Sequence, residues 1–291
     1  MAITTLKNVD VAANVKCQLG EGPVWNDELN SLHFVDIFAK HIHTLNLGSM
    51  ALKTFELQQN PGAVIPTMQS NLLIPMNDGL YVSDYDGVKI SKYLDLENSL
   101  TNNRMNDAKC DNKGRLFVGS MSDGVIASGS LYIIDGHEIR RIRERVIVSN
   151  GLAWSPDNKL IYYIDSGLQA VLVSSFFPDS QGNFDFKVFL DFPQSYGIPD
   201  GMCSDSEGGL WVAFFGGSVI RRYSANGSHT HTIEMPVEQI TSCAYQDNSS
   251  IMYITTASID VDENQIRNGA GKVFRLDTGI QGLPTNKFLL H

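Results

Sequence analysis

One pattern recurs six times along this chain, and nothing else in the sequence restricts the fold as strongly. Glu21-GPVW, Asn106-DAKC, Asn150-GLAW, Asp200-GMCS and Thr241-SCAY each open on an oxygen-bearing side chain and continue through small or apolar residues. A polar turn follows each time (NDELNS, DNKG, SPDNK, DSEGG, QDNSS). An apolar run of β type comes next (LHFVD, RLFVGS, LIYYIDS, LWVAFF, IMYITT). This is one hairpin written five times. A weaker copy, Val64 followed by PTMQSN and LLIP, fits between the first two. Register positions 21, 64, 106, 150, 200 and 241 are separated by 43, 42, 44, 50 and 41 residues. A period of that length carrying several strands per unit predicts an all-β protein, a six-bladed β-propeller.

Propeller geometry gives the register a chemical meaning. The innermost strand of each blade lines a central channel, so equivalent positions of successive repeats come to stand around one axis. Side chains alternate along a strand, and a slip of one residue would turn the whole set away. Glu21, Asn106, Asn150 and Asp200 therefore converge on the channel, while Val64 interrupts the ring. Two carboxylates and two carboxamides in a narrow, dry space need a positive or hydrogen-bonding partner. A divalent cation meets that need. The donors are hard oxygens, which favour Ca²⁺, Mg²⁺ or Mn²⁺, with Zn²⁺ also considered, and three or four protein ligands leave positions for water and substrate. The plainer reading is that these residues are turn formers and strand caps, as Asn, Asp and Gly commonly are. It accounts for any one of them better than for all four in the same register.

The repeat fills the chain from near residue 15 to residue 276, so residues 1–291 are read as a single domain with no linker. The net charge is −10, with 22 Lys plus Arg against 32 Asp plus Glu. That balance argues against a nucleic-acid partner, which would require a basic stripe. The one basic cluster, EIRRIRERVIV, reads as an exposed blade strand with Arg141, Arg143 and Arg145 on one face. Four cysteines, Cys17, Cys110, Cys203 and Cys243, lack zinc or CxxC spacing. Cys110, Cys203 and Cys243 fall in inner strands, where a small hydrophobe is expected, and all four are read as buried free thiols. No signal or transit pattern and no membrane-length apolar run is evident. The expectation is a cytoplasmic protein without membrane contact, monomeric or weakly dimeric.

Other motifs carry less. KHIHTL and SHTHTI, with His41, His43, His229 and His231, read as solvated outer-strand faces rather than metal ligands. SIDVDENQIRNG imitates a calcium loop at Asp260, Asp262 and Asn264. It has Gln265 where a sharp turn needs Gly and Gly271 where a bidentate Glu belongs. Residues 259–271 are thus expected to form a long surface loop at the channel mouth. A GxSxG elbow, a P-loop and a GxGxxG fingerprint are absent from the sequence.

The segments LGEGPVW, NNRMNDAKCDNKGRLFVGSM, SNGLAWSPDNKLIYYIDS and GIPDGMCSDSEGGLWVA together resemble the regucalcin, gluconolactonase and luciferin-regenerating enzyme family over essentially the whole chain. The resemblance implies a six-bladed propeller holding one divalent cation through Glu21, Asn150 and Asp200. It also implies substrate contacts from Arg104 and Asn106 of an Arg-x-Asn-Asp motif, and hydrolysis of sugar lactones or related cyclic esters. Animal regucalcin-like members carry an acidic pair after a Gly-Thr-Met segment. This chain reads GSMSDG, leaving Asp123 as the substrate-binding candidate there, followed by Gly124 and a short stretch, which implies a different lid.

The combined reading is a metal-dependent lactonase acting on a small lactone or ester. The cation polarises the ester carbonyl, Asp200 activates water while also ligating, Arg104 binds substrate oxygens, and Asn106 orients a carbonyl or hydroxyl. Two alternatives stand beside it: a non-catalytic scaffold propeller fastened by its ion, and a hydrolase of other esters such as phosphotriesters. Ring closure is expected from residues 3–11, added beside Lys272–Asp277 of the last blade.

Overall fold

The computed structural model describes residues 3–122, 124–176 and 183–291, and among these the pattern resolves into six sheets. Strands β1 (Thr4–Leu6) and β2 (Asp10–Ala13) precede the repeats. Blade 1 is β3 to β6 (Gly20–Asn26, Ser31–Asp36, His41–Asn46, Leu52–Glu56), and blade 2 is β7 to β10 (Ile65–Pro66, Leu72–Met76, Gly79–Ser83, Ile90–Asp95). Blade 3 is β11 to β14 (Arg104–Cys110, Leu116–Met121, Gly129–Asp135, Glu138–Val146). Blade 4 is β15 to β18 (Ser149–Trp154, Leu160–Asp165, Ala170–Ser175, Lys187–Asp191). Blade 5 starts with β19 to β22 (Ile198–Ser204, Leu210–Phe215, Val219–Tyr223, His229–Glu234), and blade 6 with β23 to β25 (Ile240–Tyr245, Ile251–Thr256, Val273–Asp277). The protein is an all-β, six-bladed propeller, as the repeat predicts.

Burial explains why the second strand of each repeat reads as a continuous apolar run. β4 and β8 are buried at every residue because blades cover both of their faces. The outermost strands β6 and β10 are largely exposed and correspondingly polar. Apolar packing is distributed between neighbouring blades in six clusters among the described residues, rather than in one central core. At the seam of blades 6 and 1, for example, Trp25 stacks on Tyr253 with ring centroids 6.2 Å apart.

Ring closure differs in detail from the sequence expectation. β2 pairs antiparallel with β25, so the closing strand is Asp10–Ala13 rather than residues 3–11. β1 leaves that sheet and adds a fifth, parallel strand to the edge of blade 5 along β22. Residues 259–271 are also corrected, since Glu263–Asn268 forms a short helix, α1. Asp262, which imitated a calcium ligand, is its N-cap and accepts from Asn264 N and Gln265 N. A feature with no repeat signal is the C-terminal segment that crosses the face opposite the inner-strand starts. Thr285 bonds Asp247, Asn286 bonds the Cys110 carbonyl, Lys287 pairs with Asp27 and Glu28, and Phe288 is fully buried between blades 2 and 3. Residues 283–286 of that segment border the channel cavity.

Candidate active site at the channel axis

Each inner strand except the very short β7 breaks its ladder at the register position. The pairing slips between Glu21 and Val24, Met105 and Ala108, Asn150 and Leu152, Pro199 and Met202, and Ile240 and Ser242. A β-bulge re-aims the side chains it contains. This is how five repeats written in one register present their first residues away from the ordinary in-and-out alternation. The glycine that follows is required by close approach: a Cβ on Gly151 would lie 2.8 Å from the Asp200 carbonyl of the next blade.

The bulges assemble a hydrogen-bonded relay across three blades. Arg104 Nη1 donates to Asn106 Oδ1 at 2.6 Å, and Asn106 Nδ2 donates to Ser149 O at 2.8 Å and Asn150 Oδ1 at 2.9 Å. Asn150 Nδ2 donates to Ser166 Oγ at 2.9 Å, and Ser166 Oγ donates to Pro199 O at 2.6 Å, immediately before Asp200. The relay orients both amides. With one Nδ2 N–H donated to Ser166 Oγ, Asn150 keeps its oxygen on the Asn106 side. Asn106 has used both of its N–H donors and retains only an acceptor lone pair. Asn106, Asn150 and Asp200 are buried, whereas Glu21 and Arg104 are half-buried. Thr241, the remaining register residue, is turned to structural use, donating to Gly20 O at 2.6 Å across the blade 6–blade 1 seam.

Three carboxylates share this space, one more than the register alone supplied. Burial and the Asp107 charge push the Glu21 carboxyl up to about 8, against smaller lowering by the Gly22 N–H and Arg104. Burial, then Glu21 and Asp107, raise Asp200 well above the usual carboxylate range, with Arg104 opposing. Burial raises Asp107 as well, offset by Lys109 and the Ala108 N–H. Arg104 is lowered to about 10 by burial against the pull of Glu21 and Asp200. Among the described residues no hydrogen bond reaches the Asp200 carboxylate, and Glu21 accepts only from Gly22 N, at 2.9 Å. Three acids, Asp200 buried and Glu21 and Asp107 half-buried, offer free carboxylate lone pairs that fit a hard divalent cation, with the Arg104 guanidinium beside them. Asp107 closes the Arg-x-Asn-Asp motif and is the next candidate for the base after Asp200, but it stands one residue beyond the register, so the register does not place it at the axis. Its signal was adjacency, since a bulge brings two consecutive residues to the same axis.

Below the ring lies a cavity of about 320 Å³, lined among others by Val64, Asp107, Lys109, Cys110, Cys203 and Cys243 and bounded by Pro284 of the C-terminal segment. All four cysteines are free and buried, as expected. Lys109 Nζ spans from blade 3 to the Met202 carbonyl of blade 5 at 2.9 Å. Asp123 lies outside the described residues. Of the histidines read as solvated, His43 is instead buried, with Nδ1 and Thr54 Oγ1 2.8 Å apart, because the inner face of β5 packs against its neighbours. Among the described residues no helix is long and apolar enough to cross a membrane.

The raised carboxyls dictate how stability depends on pH. An acid at about 8 in the folded protein and near 4.5 unfolded binds more protons when folded, so stability falls as pH rises between those values. Buried His33 and His43, lowered to about 4, act oppositely below the ordinary histidine range. Between about pH 6.5 and 8 the carboxyls govern. Thermal melts with chelator should therefore show Tm declining across this window, and Glu21→Gln should flatten the decline. Ca²⁺ should restore more stability at pH 8 than at pH 6.5. A chelated wild type with a flat profile would remove Glu21 from the buried cluster.

Fold and site together define a six-bladed propeller with an acidic cluster and one arginine at the axis. The chain belongs to the SMP-30/Gluconolactonase/LRE-like family, whose model matches residues 19–258. It is 34% identical to regucalcin of Danio rerio over 288 residues, covering 95% of this chain and 96% of that protein. It is also 34% identical over 279 residues to YvrE of Bacillus subtilis, provisionally named a sugar lactone lactonase, covering 92% and 94%. Among solved structures, the calcium-binding protein regucalcin from Agrobacterium tumefaciens superposes with a TM-score of 0.91 at 25% identity, covering both chains fully. A luciferin-regenerating enzyme superposes with a TM-score of 0.90 at 28% identity, covering 97% of this chain and 99% of that one.

Proposed function

We propose that this protein is a divalent-cation-dependent lactonase whose site is the axial cluster of Glu21, Arg104, Asn106, Asn150 and Asp200. The observation that carries the reading is the set of three carboxylates, Glu21, Asp107 and Asp200, gathered around the single guanidinium of Arg104 beside a cavity that Asp107 also lines. Family membership and the likeness to YvrE favour lactone hydrolysis as the general activity. Glu21, Asn150 and Asp200 would hold the cation, which when bound supplies Lewis acidity for an ester carbonyl and lets the acids ionise. Asp200, without a protein hydrogen bond to its carboxylate among the described residues, is free to take a proton from water. Arg104, held by Asn106 and the Met105 carbonyl, presents its remaining N–H donors to substrate oxygens. Asn106 offers an acceptor only, so it orients a substrate hydroxyl rather than the carbonyl. A polyhydroxylated lactone fits that requirement better than an aryl ester or phosphotriester does.

The test is a substrate panel of sugar lactones, aryl esters and phosphotriesters, each assayed with chelator and with Ca²⁺, Mg²⁺, Mn²⁺ or Zn²⁺ restored. Cation-dependent turnover confined to lactones is the expected result. Turnover of phosphotriesters alone would transfer the site to the other ester chemistry. Cation binding with no turnover on any panel member would leave a scaffold propeller.

A further inference from the structure

Blades 1 and 4 brace their entering chain in the same way, and the comparison isolates a second cluster. Asp36, at the end of β4, accepts from Gln18 N, Leu19 N and Ala39 N at 2.8 to 3.2 Å. Asp165, at the end of β16, accepts in the same manner from Ile147 N, Val148 N and Gly167 N at 3.1 to 3.3 Å. The residue before the braced pair is Cys17 in blade 1 and Val146 in blade 4. The third-strand residue paired with Phe34 or with Tyr163 is His43 in blade 1 and Leu172 in blade 4. Val146 and Leu172 are buried, so aliphatic side chains satisfy the fold at these two positions. Blade 1 nevertheless buries a thiol and an imidazole there, with Cys17 1%, Asp36 2% and His43 6% exposed. Burying polar groups where aliphatic ones suffice costs stability unless they have a partner.

We infer that Cys17, Asp36 and His43 form a zinc site that fastens the seam between the first and last blades. One ligand atom from each lies within 4.8 Å of the other two. The mixed sulfur, nitrogen and oxygen donors suit a borderline-soft cation, unlike the all-oxygen set at the axis. His43 has Nδ1 engaged with Thr54 Oγ1, which fixes the ring and leaves Nε2 for the metal. Asp36 Oδ2 accepts only from Gln18 N and keeps a lone pair. A thiolate, a carboxylate and a neutral imidazole around Zn²⁺ sum to zero charge, which suits a buried position. His41, its ring centroid 5.7 Å from that of His43, or a water completes the tetrahedron. Cys17 N bonds Gly271 O and Cys17 O accepts from Ser258 Oγ, so a metal on this residue ties blade 1 directly to blade 6.

Cobalt reads the site without depending on activity. Chelator-treated protein titrated with Co²⁺ should develop a thiolate-to-cobalt charge-transfer band in the near ultraviolet, which the oxygen donors at the axis cannot give. The Cys17→Val, His43→Leu double variant copies the aliphatic pair of blade 4 and should fold. It should lose the band and one equivalent of bound zinc, and Asp200→Asn should keep both. No band in the wild type overturns the proposal. A band undiminished in the double variant also overturns it, by assigning the thiolate to the cysteines of the channel cavity.

Discussion

Asp200→Asn should lower lactone turnover by about 10² to 10⁴ at saturating cation, the usual contribution of a general base. Asparagine keeps the side chain's size and an oxygen facing the axis, but it cannot accept the proton. Glu21→Gln also removes a charge from the cluster without removing the proposed base. Its defect should therefore lie in cation affinity and be largely restored by excess Ca²⁺. The comparison is made on one good lactone, titrating cation for both variants until turnover is constant. Equal recovery would show that Asp200 is only a ligand. Asp107, which shares the cluster and raises the other two acids, would then be the first residue to test as base.

The second large effect is on closure of the ring. Deleting residues 1–13 removes β2 and leaves β25 as an exposed edge with its backbone groups unpaired. It also withdraws buried Ala12 and Ala13 from the seam of blades 6 and 1. A few ladder hydrogen bonds at about 1 kcal/mol each, plus that apolar area, amount to roughly 3 to 5 kcal/mol. For a chain of this size the loss corresponds to a Tm lower by about 10 °C. Deleting only residues 1–8 removes β1 from the edge of blade 5 and spares β2, so it should cost much less. Equal losses from the two truncations would mean that closure is carried by the parallel strand.

Much of the site was legible because repeats turn sequence register into spatial register. Glu21, Asn106, Asn150 and Asp200 start equivalent hairpins, and equivalent residues of a ring must face the axis together. Asp107 was not legible in that way. It stands one residue beyond the register, and only the bulge between Met105 and Ala108 brings it into the same electrostatic cluster. His43 was misread for a related reason. Alternation in KHIHTL fixes that two histidines share a face, but not which face the neighbouring blade covers.

The sequence by itself determined the number of blades, the order of strands within each and the common register of Glu21, Asn106, Asn150 and Asp200. Those depend on hairpin turns and alternation, which act over a few residues and repeat along the chain. Only the tertiary structure decided that Asp10–Ala13 rather than residues 3–11 closes the ring, and that residues 283–286 border the channel cavity. It likewise decided that Cys17, Asp36 and His43 meet at the seam. The closing strand and the C-terminal segment join parts of the chain that share no repeat, through pairings fixed by which edge remains open once the six sheets have packed. A local pattern cannot carry that information, because the open edge does not exist until the ring is nearly closed.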